Sequence, residues 1–170
     1  MYVIQQNVNM NTKEYNKTVE QFADKVYRFA LSLTGNKHVA EDIVQDSFER
    51  LWINHGDIAF DKARSFLFST AHNRSIDIFR KDKRMVDTDN FRAEVSISVD
   101  QYSDLKEVLH NAIGQLNDVQ RSVVLLRDYE GYSYQEIADI TGLNETQVKV
   151  YIFRARQFLK QYIGTMQNVL

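Results

Sequence analysis

Among 170 residues there is no cysteine, no proline, a single tryptophan and only six glycines. The missing cysteines remove disulfides, zinc ribbons and thiol nucleophiles together, and they suit a reducing compartment. Any metal site would have to be assembled from carboxylates and four histidines. Without proline, no helix can be stopped by a missing N–H, so element boundaries must rest on capping side chains and on glycine. No apolar run approaches the ~18 residues of a membrane span, and the amino terminus lacks a basic start followed by an apolar stretch of signal-peptide length. A cytoplasmic location is expected. At 44% hydrophobic and 26% charged the chain should nonetheless pack a core.

The net charge of -2 conceals a segregated distribution, and a polyanion responds to the distribution rather than to the total. Residues 62–84 hold seven Lys/Arg against Asp77 and Asp82. Residues 85–145 hold four Lys/Arg against twelve acids, and residues 146–170 hold four Lys/Arg and no acid at all. Two basic blocks thus flank an acidic middle.

Apolar residues at Val19, Phe22, Val26, Phe29 and Leu33 step by 3 and 4 and predict a first helix, stopped at Gly35-Asn36. A second periodic run carries Val39, Ile43, Phe48, Leu51 and Trp52 and ends near Asn54 and Gly56. After a loop, Phe66, Leu67, Thr70, Ala71 and Ile78 are expected to face inward from a long third helix that ends in the basic run Arg80 to Arg84. From Met85 to Ser103 the periodicity disappears, which predicts a tether. Val95, Ile97 and Val99 alternate with serines as a strand would, but a lone strand has no pairing partner in a helical chain. The stripe resumes at Leu105, Val108, Leu109, Ala112, Ile113 and Leu116. Asn117, Ser133 and Asn144 then each precede a helical run and have Gln or Glu three residues on, so three capped short helices are predicted, their breaks helped by Gly114, Gly131 and Gly142. The fold class is all-α, as two small helical domains: a tail over 1–11, a domain over 12–84, a flexible linker over 85–103 and a domain over 104–166.

Ser133 to Arg156 has the spacing of a helix-turn-helix, with small Ala138 at the crossing, Gly142 at the turn, and Ile137, Leu143, Val148 and Ile152 filling the wedge. The outward positions of its second helix are Thr146, Gln147, Lys149, Val150, Phe153 and Arg154. Thr146 and Gln147 offer donors and acceptors to base edges, Lys149 and Arg154 suit phosphate or guanine, and Val150 suits a thymine methyl. A surface helix that merely carries Lys and Arg would look similar, but apolar Val150 and Phe153 between basic residues call for a partner.

Ala40-Glu41-Asp42-Ile43-Val44-Gln45-Asp46-Ser47-Phe48, continuing to Arg50, Leu51 and Trp52, resembles the polymerase-binding helix of sigma region 2. Phe66 to Arg80 resembles the following helix of that region, and Tyr132 to Arg156 resembles sigma region 4. The chain is therefore identified as similar to the extracytoplasmic-function (ECF) sigma factors of the sigma-70 family. The resemblance implies a sigma factor that binds RNA polymerase core and directs promoter-specific initiation. Its region 2, over 12–84, would dock on a coiled coil of the largest subunit through Asp42, Gln45, Asp46, Glu49, Arg50 and Trp52. The loop from Gly56 to Lys62, with Phe60 its only aromatic, would hold a flipped minus-ten base, adjoined by Asn73, Arg74, Asp77, Arg80, Lys81 and Arg84. Its region 4, over 104–166, would read the minus-thirty-five element through Ser133, Thr146, Gln147, Lys149, Val150, Phe153 and Arg154. Further implied partners are promoter DNA and a cognate anti-sigma factor, membrane-anchored in many members; no cofactor, metal or small-molecule substrate is implied. One departure stands out: the family commonly has Ser-Arg where this chain has Val150-Tyr151, so a different minus-thirty-five sequence is expected.

Two rival readings have their own residues. Glu107-x-x-His110 has the spacing of a di-iron half-site, yet a site would need a second copy and two more helical carboxylates. A helix-turn-helix regulator that never joins the polymerase would share the second half, but would need a receiver or ligand-binding domain in place of the first.

Overall fold

The computed structural model describes residues 9–85 and 104–167, without the side chains of Arg84, Met85, Asp104, Met166 and Gln167. The expected tether and most of the tail lie outside the described residues. The chain divides into two compact units between Lys81 and Asp82. All regular elements among the described residues are helical: α1 (Thr12–Thr34), α2 (Lys37–Asn54), α3 (Ala63–Met85), α4 (Asp104–Gln115), α5 (Asp118–Val124), α6 (Tyr134–Thr141) and α7 (Glu145–Gln167). A 3-10 turn at Phe60–Lys62 precedes α3, and a π-turn at Leu125–Tyr129 prolongs α5.

In the first unit, helix starts and stops come from side chains, as a proline-free chain requires. Asn11 caps α1 and Glu14 reciprocates, each backbone N–H lying 2.9 Å from the other residue's oxygen. Gly35, at φ 64, ends α1 with its N–H on the Leu31 carbonyl at 2.8 Å, and Asn36 at once caps α2. Val26, Phe29, Ala30 and Leu33 of α1 are buried, as are Ala40, Ile43, Phe48 and Leu51 of α2. Phe29 meets Phe68 of α3 edge-on at 5.3 Å.

The buried face of α3 differs from the expected one. Leu67 and Ala71 are buried, but Phe66, Thr70 and Ile78 are only partly so; the other buried residues of α3 are Ala63, Phe68, His72 and Ser75. Polar residues hide this face from a hydrophobicity pattern. Ser75 tolerates burial because its hydroxyl donates to the Ala71 carbonyl one turn back at 2.8 Å, a device repeated by Ser47 on Ile43 at 2.6 Å.

In the second unit, Ala112 and Ile113 of α4 and Leu116 just beyond its end are buried, whereas Leu105, expected on the same stripe, is exposed. Gly114 lies inside α4 and does not break it. The helix is closed instead by Arg121 from α5, whose Nε donates to the Ile113 carbonyl at 3.1 Å and Nη2 to those of Gly114 and Leu116 at 2.7 and 2.9 Å. Burial pulls this guanidinium below its ordinary pKa, and nearby Asp118 opposes that shift only in part. Asn117 caps α5, accepting from the Gln120 N–H. Ser133 and Glu136 form a reciprocal capping box on α6, and Asn144 and Gln147 do the same on α7. The last of the three capped helices is long, 23 residues, not short as expected, because nothing after Asn144 interrupts it.

Gly142 ends α6 at φ 75 with its N–H on the Ala138 carbonyl at 2.9 Å. A Cβ there would meet nothing within 4 Å, so Gly142→Ala carries only the cost of the left-handed backbone. It should destabilise the second unit by about 1 kcal/mol, read as a lower denaturant midpoint at unchanged slope.

Candidate functional site

Around Gly142, the inner wedge is Ile137, Ala138, Val148 and Ile152, all buried, with Leu143 partly so. This packing fixes α7 against α6 and turns Thr146, Gln147, Lys149, Val150, Phe153 and Arg154 outward; all six are exposed. Val150 and Phe153 are 40% and 62% exposed, and they line a groove with Tyr134, Lys149, Ile152 and Arg156.

The outward residues are not equally free. Gln147 uses its amide oxygen on the Asn144 N–H at 3.0 Å, which leaves its NH₂ to donate. Ser133 accepts from the Glu136 N–H at 3.2 Å, so its oxygen is engaged in the cap of α6. Lys149 pairs with Glu145 at 3.1 Å and stands 5.4 Å from the Tyr134 ring centroid. Arg154 makes no ion pair among the described residues.

Behind this face is a support that the sequence reading missed. Arg127, from the π-turn, donates to the Tyr132 carbonyl at 2.8 Å and lies 4.5 Å over the Tyr134 ring. Arg156 grips both carboxylate oxygens of Asp128, at 3.1 and 2.5 Å, and that hydrogen bonding, above all, raises its pKa. These partners are 28 residues apart, and no local spacing announces them.

In the first unit, Asp42, Gln45, Glu49, Arg50 and Trp52 are exposed along α2, as the helical period requires. Asp46 is only partly exposed: its Oδ2 lies 3.5 Å from Arg50 Nε and 3.5 Å from Arg74 Nε. A residue expected to face polymerase and one expected to face DNA are thereby joined, tying α2 to α3. Trp52 is held by Tyr15 edge-on at 4.9 Å and by a stack on His55 at 4.6 Å, while Tyr15 donates to the Phe48 carbonyl at 3.0 Å.

Asn73, Arg74, Asp77, Arg80 and Lys81 are exposed on α3, opposite buried Ala71, His72 and Ser75; the Arg84 side chain lies outside the described residues. Phe60 is partly buried in its 3-10 turn, with Lys17 Nζ 5.7 Å from its ring centroid. Glu107 and His110 are both exposed, and no group of three or more metal-ligating side chains occurs among the described residues. No described helix is long and apolar enough to cross a membrane.

Comparison with known proteins gives these surfaces their family. Residues 18–85 match the Sigma-70 region 2 model and residues 106–159 match the Sigma-70, region 4 model. The chain is 34% identical to the ECF RNA polymerase sigma factor SigM of Bacillus subtilis over 83% of its own length and 90% of that protein. Its structure is similar to the sigma factor RpoE in complex with the anti-sigma factor NepR from Bartonella quintana, at a TM-score of 0.80 and 26% identity, covering 90% of this chain and 98% of that one. It is also similar to CnrH in complex with the cytosolic domain of CnrY, at 0.67 and 25%, covering 91% and 90%. The chain belongs to the ECF sigma factors of the sigma-70 family, whose members direct RNA polymerase to promoters. Its two helical units have the region 2 and region 4 architecture, and a sigma factor is not an enzyme.

Proposed function

We propose that the two units divide the work of promoter recognition as follows. The acidic side of α2, with Asp42, Gln45, Asp46, Glu49, Arg50 and Trp52, grips a basic helical surface of the polymerase, the largest-subunit coiled coil. The loop containing Phe60 captures an unstacked minus-ten base while Asn73, Arg74, Asp77, Arg80, Lys81 and Arg84 hold the adjoining strand and duplex. The outer face of α7 enters the major groove at the minus-thirty-five element. There Thr146, Gln147, Val150 and Phe153 meet base edges, Lys149 and Arg154 meet phosphate or guanine, and Ser133 fixes the helix that lies across the backbone.

The observation that carries this reading is the outer face of α7: apolar Val150 and Phe153 stay exposed beside cationic Lys149 and Arg154, on a helix locked from behind by Val148, Ile152 and Ala155. A solvated helix face has no use for that mixture, whereas thymine methyls flanked by phosphates match it. Of the two similar structures, RpoE is bound to the anti-sigma factor NepR and CnrH to the cytosolic domain of CnrY. They support a cognate anti-sigma protein for this chain too, acting in the cytoplasm.

Transcription reconstituted with core polymerase tests the whole reading, through specific start sites that depend on the chain. For α7, Val150→Ser is expected to shift base preference at one minus-thirty-five position by about fivefold to tenfold, without changing affinity for non-specific duplex. Unchanged relative affinities across a randomised promoter library would remove Val150 from the reading set.

A further inference from the structure

The loop between α2 and α3 is closed mainly by its own short turns. The Asp57 N–H donates to the Asn54 carbonyl and the Lys62 N–H to the Ala59 carbonyl, both at 2.9 Å. Two backbone hydrogen bonds reach it from far away in sequence. The N–H of Met10, just before the cap of α1, lies 3.1 Å from the His55 carbonyl and 3.1 Å from that of Ile58. The Met10 side chain is 2% exposed, with its sulfur 3.8 Å from the buried Thr18 hydroxyl, so this is a seated plug and not a passing contact. From the same helix, Lys17 stands over Phe60. The His55 whose carbonyl Met10 engages is the ring stacked on Trp52.

We propose that Met10 is a positioning residue for minus-ten recognition: it pins both ends of the Gly56–Ile58 turn and so fixes where Phe60 stands when the loop receives an unstacked base. The inference rests on the reading of that loop given above. A pocket for an extruded base must be formed before the base arrives, since ordering it on arrival would subtract from binding. The loop's internal turns leave its position relative to α1 undefined; the Met10 N–H and its buried side chain define it. Met10 touches no DNA in this proposal and acts only through the loop.

The test measures base preference at each minus-ten position, using fork-junction promoters with a single-stranded minus-ten element and holoenzyme built from the full chain. Met10→Ala should flatten the preference at one position by about tenfold while core affinity changes less than twofold. Met10→Leu, which keeps the N–H and the buried volume, should restore it. A purely structural role would lower affinity for all templates equally. Phe60→Ala separates the two layers of inference. If Phe60→Ala flattens the preference and Met10→Ala does not, the bracing role is overturned while the loop reading stands. If neither does, the loop reading falls and takes the brace with it. Should Met10→Ala impair core binding, the milder Met10→Val is compared with Met10→Leu by the same ratio, and equal preferences for the two would overturn the proposal.

Discussion

Trp52→Ala is expected to weaken binding to core polymerase about thirtyfold or more, the loss typical of a central aromatic anchor. Trp52 is 43% exposed, with neighbouring Ile53 70% exposed, on a helix that buries Ile43, Phe48 and Leu51. Its ring is nonetheless fixed, edge-on to Tyr15 and stacked on His55, so little side-chain entropy remains to be lost when a partner covers it. Exposed, rigid and flanked by Asp42, Gln45 and Glu49, it has the make-up of an anchor inside an acidic rim. Because truncating Trp52 also removes the stack on His55, Glu49→Lys is the cleaner companion: Glu49 is exposed and stands outside the Asp46–Arg74 ion pair that ties α2 to α3. Placing a cation against a basic partner should slow association and reduce the salt sensitivity of what remains. Titration of fluorescent core with each variant measures both, and affinities within twofold of the unaltered chain would show that α2 does not supply the grip.

How far these surfaces could be read from the sequence depended on the kind of physics that built them. Stripes at Val26, Phe29 and Leu33 and at Ile43, Phe48 and Leu51 are periodic and apolar, so the α1 and α2 faces were legible. The caps at Asn117, Ser133 and Asn144 were legible because a cap and its partner sit three residues apart. The inner face of α3 was misread by about one position, since His72 and Ser75 look polar in a pattern and become core only through local bonding or neutrality. Arg121 on the end of α4, Arg156 on Asp128 and Met10 on His55 were out of reach for another reason: each joins groups whose proximity exists only after the helices pack. On α7 the outward set was found by period alone, but period could not say that Gln147 and Ser133 spend an oxygen on helix capping.

Acidification should unfold the first unit through His72. His72 is 6% exposed on the same helix as buried Leu67, Phe68 and Ala71, its Nδ1 has no hydrogen-bond partner among the described residues, and burial lowers its pKa from an ordinary 6.5 to about 4. Above pH 6.5 the imidazole is neutral in both folded and unfolded chains, and the fold has its full stability with respect to this group. Between 6.5 and about 4 the unfolded chain takes up a proton that the folded chain refuses, so stability falls as pH falls. The loss should total about 3 kcal/mol by pH 4 and then level off for this group. His72→Leu removes the titration while keeping a side chain of similar size. At pH 7 it should be neutral or slightly stabilising, because a buried nitrogen without a partner is replaced by methyl groups. Denaturant unfolding of both proteins from pH 7.5 to 4 gives the answer as a difference between two curves, which cancels the carboxylates and the other histidines common to both. Parallel curves would mean that the ring accepts its proton inside the fold. A difference that opens below pH 6.5 and reaches a few kcal/mol would establish that α3, with Asn73 and Arg74 on its outer side, is held in place by a histidine that must stay uncharged.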